Sequence, residues 1–292
     1  MAITGLFGQV FLADALDGFT GAAAPINAMS FATQNGSLNV GDTVKVPFAT
    51  SNSSSANFDY SAPYGSDSVN IGVKNVTLSN LLYQKYTITD ADSAKLTTGQ
   101  LSAFAKQAGE KLANDVVSAS FASVISDVNY SVSASIVSTA LTSSSAIADL
   151  VTQADTALWP SDNRNIILSP TAWNSLIKNE GLNQAFSYGG SQVIQNGLPA
   201  NVMGFNVYKT NVTMPNNCKA LVLNPNALLF ATGEHKPSVA STGLVDYQSA
   251  TRNGITITMK AWYDAANAST HYVYECLFGV LAGNTLGLYQ MK

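Results

Sequence analysis

Site chemistry needs reactive side chains at usable spacing, and this chain offers few. It has only two histidines: His235 in the loop-like GEHKP and His271 at the start of an apolar run. Neither sits in an HExxH pattern or has a second ligand at metal-binding spacing, so no metal site is read from them. Gly189-Gly190-Ser191 approaches a nucleophile elbow but lacks its second half. There is no P-loop and no GxGxxG after a strand. Asp90 and Asp92 are spaced like a carboxylate pair for acid–base work. They also precede a predicted helix N-terminus, where the dipole favours negative charge, and that is the reading adopted. Cys218 and Cys276 lie in apolar strand-like runs and read as buried free thiols, not as a redox pair. Trp159, Trp173 and Trp262 read as packing residues. No residue set here supports catalysis, a cofactor or a metal, and the chain is read as a non-enzyme.

The elements around these residues are better defined than any chemistry. Residues 1–38 read as an N-terminal arm. Its short apolar helical face (Ile3, Leu6, Phe7, Val10, Phe11) would dock on a neighbouring surface, with Phe7 and Phe11 as contact candidates. Val44, Val46 and Phe48 alternate with polar residues, as do Val69, Ile71 and Val73, which predicts two strands. Between them lies TSNSSSANFDYSAPYGSDS, longer than a compact domain normally leaves unstructured. Two strands of seven residues would carry it ~23 Å from the body. Phe58, Tyr60 and Tyr64 near its tip are then adhesive anchors.

The period next changes to that of a helix. Leu101, Phe104, Ala105, Ala108, Leu112, Val116, Ala119, Ala122 and Ile125 form one stripe, with Val117, Phe121 and Val124 as a second. Thr97 with Gln100 makes a capping box. From Thr97 to Ile125 the helix would run about 43 Å, a strut. A helix at Ser145–Trp159, a strand at Asn165–Leu168 and a helix opened by Pro170 follow. Phe205–Lys209 and Ala220–Leu223 read as strands, Asn226–Phe230 as a helix, and Ile255–Ala261, His271–Ala282 and Thr285–Gln290 as returning strands. The segment between early and late strands is then an inserted α/β lobe. The fold class is α+β.

Charge narrows the function. Asp, Glu, Lys and Arg make up 11 % of the 292 residues, against roughly 25 % in ordinary soluble domains. Net charge is −4, and no basic cluster marks a dedicated nucleic-acid binder. No run is apolar enough to span a bilayer, and no basic segment precedes the apolar N-terminus as in a secretory signal. Interface cores are depleted of charge. A surface this poor in charge is therefore read as one covered by copies of itself.

The ordered parts resemble the major capsid proteins of tailed bacteriophages, the HK-97-like fold shared with encapsulins. GDTVKVPFAT from Gly41 resembles the strand entering that family's extended loop (E-loop), and VTLSNLLYQKYTITDADSA the strand leaving it. Leu101–Ile125 resembles the spine helix of the peripheral domain (P-domain). NRNIILSPTAWNSLIKN, GLPANVMGFNVYKTNVTMP and CKALVLNPNALLFATGE resemble successive segments of the axial domain (A-domain), and HYVYECLFGVLAGNTLGLYQ the closing strands. The resemblance implies an arm at 1–38, an E-loop hairpin at 39–80 and a P-domain at 81–135 with its spine helix at 97–126. It places the A-domain at 136–250 and returning strands at 251–292. It implies pentamers and hexamers building an icosahedral shell around double-stranded DNA, held without sequence-specific binding. Location would be the virion, with synthesis in the host cytoplasm and no membrane. Separate scaffolding, decoration or portal proteins are the implied partners. Some members crosslink their subunits, for which Lys45 and Lys74 are the candidates here. An encapsulin-like cargo shell and a phage tail or adhesin protein stay open as alternatives.

Overall fold

The computed structural model describes residues 3–50, 70–179, 201–236 and 244–292. Helix α1 (Ile3–Ala22) leads through a short 3-10 turn to strand β1 (Ser30–Ser37). β2 (Thr43–Thr50) and β3 (Asn70–Thr77) follow, then β4 (Asn80–Thr89), the one-turn α2 (Asp90–Ser93) and the long α3 (Thr98–Val124). Next come α4 (Ser144–Thr156), β5 (Arg164–Leu168), α5 (Pro170–Ile177), β6 (Asn201–Val202), β7 (Phe205–Lys209) and β8 (Ala220–Leu223). The chain closes with β9 (Leu228–Glu234), β10 (Leu244–Arg252), β11 (Ile255–Asp264), β12 (Ser269–Ala282) and β13 (Leu288–Met291).

Two larger sheets organise these elements. In the six-stranded sheet, β12 pairs antiparallel with β4, β11 and β9; β10 extends the β11 side, and β1 runs parallel to β9. The five-stranded sheet has the order β13-β8-β5-β7-β6. β12 thus pairs with the early β4, as the returning-strand reading requires, while β13 joins β8 in the second sheet. α1 and α3 pack on one face of the larger sheet through Ile255, Ile257, Met259, Tyr274 and Phe278. α4 and α5 cover the smaller sheet, where Trp159 stacks on Tyr289 at 4.6 Å. Arg164, almost fully buried, ties the turn after α4 by donating to the carbonyls of Trp159 and Pro160 and to Asp155.

The strut helix forms as its sequence directs: Thr97 and Gln100 make the capping box, and Ile125 ends the helix in extended backbone. Val117, Phe121 and Val124 of the second stripe are buried, but the first stripe is not buried throughout. Phe104 and Ala122 are exposed, while Gly109, Ala113 and Ser120 are buried. α3 contacts α1 through one face and the sheet through another, so burial wraps around it.

Two expectations are corrected. The arm expected to dock on a neighbouring surface lies largely against its own chain: residues 3–22 form a helix packed along α3, and residues 30–37 a strand beside β9. Its glycines obscured this, because here they are contact residues. A Cβ on Gly18 would strike the Lys106 carbonyl, and one on Gly109 would strike that of Ala15. The helix expected at Asn226–Phe230 is a 3-10 turn over Pro225–Ala227 followed by strand. The cap is real, since Asn224 Oδ1 accepts from the Asn226 amide at 3.2 Å. Leu229 and Phe230 nevertheless pair with both β1 and β12, and that ladder overrides the local helix signal.

The core is rich in buried acids that stay protonated. Burial pushes the Cys276 thiol up to about 12 and the Tyr86 phenol up to about 12, a hydrogen bond from Tyr274 partly offsetting the latter. Burial raises Tyr274 and Tyr130 further. All four are raised above their unfolded values, so their contribution to stability is complete below about pH 8.5. It is lost as pH rises, because the unfolded chain releases these protons first. The thermal unfolding midpoint should hold to about pH 9 and fall steeply by pH 11; a flat profile across that window would contradict the burial assigned to these groups.

Candidate assembly surfaces

The hairpin of β2 and β3 is the first surface. Its register runs from Thr43↔Thr77 to Thr50↔Asn70, a ladder of about 24 Å. Only its root is buried: Val44, Val46 and Val76 pack with Leu38, Leu78, Leu229 and Leu277. On the other face of the root Lys45 is exposed, and farther out Pro47 is exposed and Val73 is 56 % exposed. Phe58, Tyr60 and Tyr64 lie outside the described residues.

Lys74 fixes the root. Its ammonium donates to the carbonyls of Ala282 (3.0 Å) and Gly283 (2.5 Å) at the end of β12. The β4 ladder on β12 stops at Phe278↔Asn80, so these carbonyls lie past that strand partner. Gly279 lets the end of β3 cross closely, since a Cβ there would strike the Thr77 carbonyl. Lys74→Met should remove about 1–3 kcal/mol of charge-assisted bonding at this point. Amide exchange in β2 and β3 should quicken while α3 stays protected. Unchanged exchange in the hairpin would show that Lys74 does not hold it.

The second surface is the sheet face opposite α1 and α3. Glu275 Oε2 accepts from Lys260 Nζ at 2.6 Å and lies 2.9 Å from His235 Nδ1. Glu234 accepts from Tyr247 and Ser249, each at 2.9 Å. Burial, followed by this bond to Glu234, raises the Tyr247 phenol, which stays a neutral donor. His271, four residues before Glu275 on β12 and so on the same face, meets Thr87 at 2.7 Å and the Trp262 ring at 5.2 Å. Lys85 lies over that ring. The sequence reading left both histidines isolated, because four strands must pair before their partners meet. The available signal was a single charge in otherwise apolar strand runs, as in YECLF and TMKAW. The cluster links the end of β9 to β11 and β12.

The remaining candidates fall elsewhere. Phe7 lies in α1. Phe11, expected as a contact to a neighbour, is 3 % exposed and packs edge-on against Tyr272 inside its own subunit. Asp90 and Asp92 occupy the first turn of α2, where Thr89 accepts from the Asp92 amide and Tyr263 donates to Asp90. Cys218 and Cys276 are buried and free. Among the described residues no three of His, Cys, Asp and Glu are placed to hold a metal ion, and no helix is long and apolar enough to cross a membrane.

No protein-family model and no curated protein matches the chain. Solved structures do. A virus-like particle from Pyrococcus furiosus aligns over 96 % of this chain and 96 % of its own, with a TM-score of 0.57 and 14 % identity. The capsid of cyanophage P-SCSP1u aligns over 90 % of this chain and 86 % of its own, at 0.55 and 16 %. The mature capsid of bacteriophage PhiM1 aligns over 91 % and 85 %, at 0.55 and 11 %. The chain has the HK-97-like capsid fold. The alignments extend over nearly the whole chain. At 11–16 % identity the fold is carried by the order and packing of elements, not by shared side chains.

Proposed function

We propose that this chain is the major capsid protein of a tailed double-stranded DNA phage, tiling an icosahedral shell through pentamers and hexamers. The observation that carries the reading is the capsid fold combined with a projecting hairpin and a surface poor in charge. In this reading β2 and β3 are the E-loop, α3 is the spine of the P-domain, and the five-stranded sheet with α4 and α5 is the A-domain. β9 and β10 then belong to the P-domain sheet and β13 to the A-domain. Each contact between copies can be weak, because closed symmetry multiplies it. DNA is enclosed without sequence readout, and scaffolding, decoration or portal proteins act as separate chains.

Electron microscopy of the chain expressed alone tests this. Closed shells or capsomer rings are expected, and a stable monomer at high concentration would end the proposal. The near-complete overlap with the Pyrococcus particle favours a second reading, an encapsulin-like shell for protein cargo. Shells purified from their native source separate the two: packaged DNA supports the phage reading and a protein cargo the other.

A further inference from the structure

Between α1, α3, the β10–β11 turn and the chain leaving β7 lies a polar cleft of about 730 Å³. Three cations reach it from three elements: Lys106 of α3, Lys209 at the end of β7 and Arg252 at the end of β10. The chain has only fourteen lysines and arginines, so this convergence does not reflect a generally basic surface. Asp17 pairs with two of the three, at 3.3 Å from Arg252 and 3.7 Å from Lys106. One carboxylate shared between two cations leaves positive charge over. Lys209 has no carboxylate partner among the described residues. Glu110 is the only other acid lining the cleft among the described residues, and Asn114, Asn211 and Asn253 add neutral donors.

We propose that this cleft takes the phosphodiester backbone of the enclosed nucleic acid, one or two phosphates per subunit, without reading bases. The proposal rests on the capsid reading. The cleft lies on the helix-covered side of the larger sheet, while the hairpin root lies on the other side, since Phe230 and Leu229 of β9 point oppositely. The proposal requires the helix side to face the shell's contents. Affinity per subunit is low and adds along the polymer.

The test uses the full-length chain in the fraction separated from closed shells by size exclusion, where both faces are accessible, with a short fluorescent DNA duplex of mixed sequence, titrated by anisotropy across a salt series. The double variant Lys209→Glu, Arg252→Glu should weaken binding at low salt by about tenfold or more and reduce the slope of log K against log salt by about 2. Glu110→Gln should tighten binding, guarding against a misfolded double variant. Asp149→Asn, exposed on α4 and outside the cleft, makes the same change in net charge and should leave affinity unaltered. An unchanged slope in the double variant, or equal tightening by Asp149→Asn, overturns the proposal. So does full displacement by millimolar inorganic phosphate at matched ionic strength, which would assign the cleft to a small free anion. Microscopy of the same preparations keeps the two readings apart. Shells with unaltered binding in the variants remove the cleft and leave the capsid reading; cleft-dependent binding without shells does the reverse.

Discussion

A chain carrying Phe58→Ser, Tyr60→Ser and Tyr64→Ser together is expected to fold and to build no shells. The expectation follows from where the hairpin is held. Its root is locked by Val44, Val46 and Val76 in a core shared with Leu229 and Leu277, and by Lys74 on the end of β12. The three aromatic residues lie in the sequence beyond the paired ladder, which runs to Thr50↔Asn70, and so beyond that core. Removing them should leave the far-ultraviolet spectrum and the unfolding midpoint near those of the parent. In the proposed shell they are the adhesive anchors between copies. A buried aromatic anchor at an interface is worth about 1–3 kcal/mol or more on truncation. Even ~3 kcal/mol lost per subunit contact weakens that contact more than a hundredfold, and the loss recurs at every equivalent contact. Sedimentation velocity and electron microscopy at matched concentration give the readout. Normal shells from the triple variant would remove the hairpin from the assembly surface; an unfolded variant would show that its tip supports the subunit itself.

What the sequence made legible depended on how local each signal was. α3 was readable to within a residue because its cap, its period and its end all lie in one stretch, from Thr97 to Ile125. The hairpin strands and β12 were readable from alternation and length. α1 was readable only at its start, from the apolar face Ile3 to Phe11; its second half was not, because Gly18 looks like a breaker until the partner helix is present. The strand at Leu228–Phe230 was hidden behind a genuine helix cap at Asn224. The Glu275–Lys260–His235 cluster was invisible for a related reason, since residues 235, 260 and 275 become neighbours only when β9, β11 and β12 align. The cleft of Lys106, Lys209 and Arg252 joins still more distant segments. Local chemistry in the sequence therefore gave the elements, and the candidate surfaces arise from their pairing.

Gly109→Ala is expected to destabilise the subunit, against the usual sign for such a change in a helix. Alanine in place of glycine ordinarily favours a helix interior by about 1 kcal/mol. At Gly109 the added methyl would strike the Ala15 carbonyl, which is backbone and cannot swing aside, while Gly18 of α1 meets the Lys106 carbonyl in the same way. The two helices approach through reciprocal glycines, each three residues after the carbonyl that the other one faces. Separating them opens the contact that buries Phe11, Ala15 and Phe19 against Leu112, Ala113 and Val116. Overpacking of this kind costs about 1–3 kcal/mol, and Gly109→Leu should exceed that range. Gly99 supplies the internal control: it lies in the first turn of the same α3 with open space where a Cβ would go. Gly99→Ala should therefore raise stability by up to about 1 kcal/mol. Urea unfolding of the three variants measures the contrast directly. A stabilised Gly109→Ala protein would mean that α1 does not lie against α3 in solution, and residues 1–22 would then be free to act as the intersubunit arm.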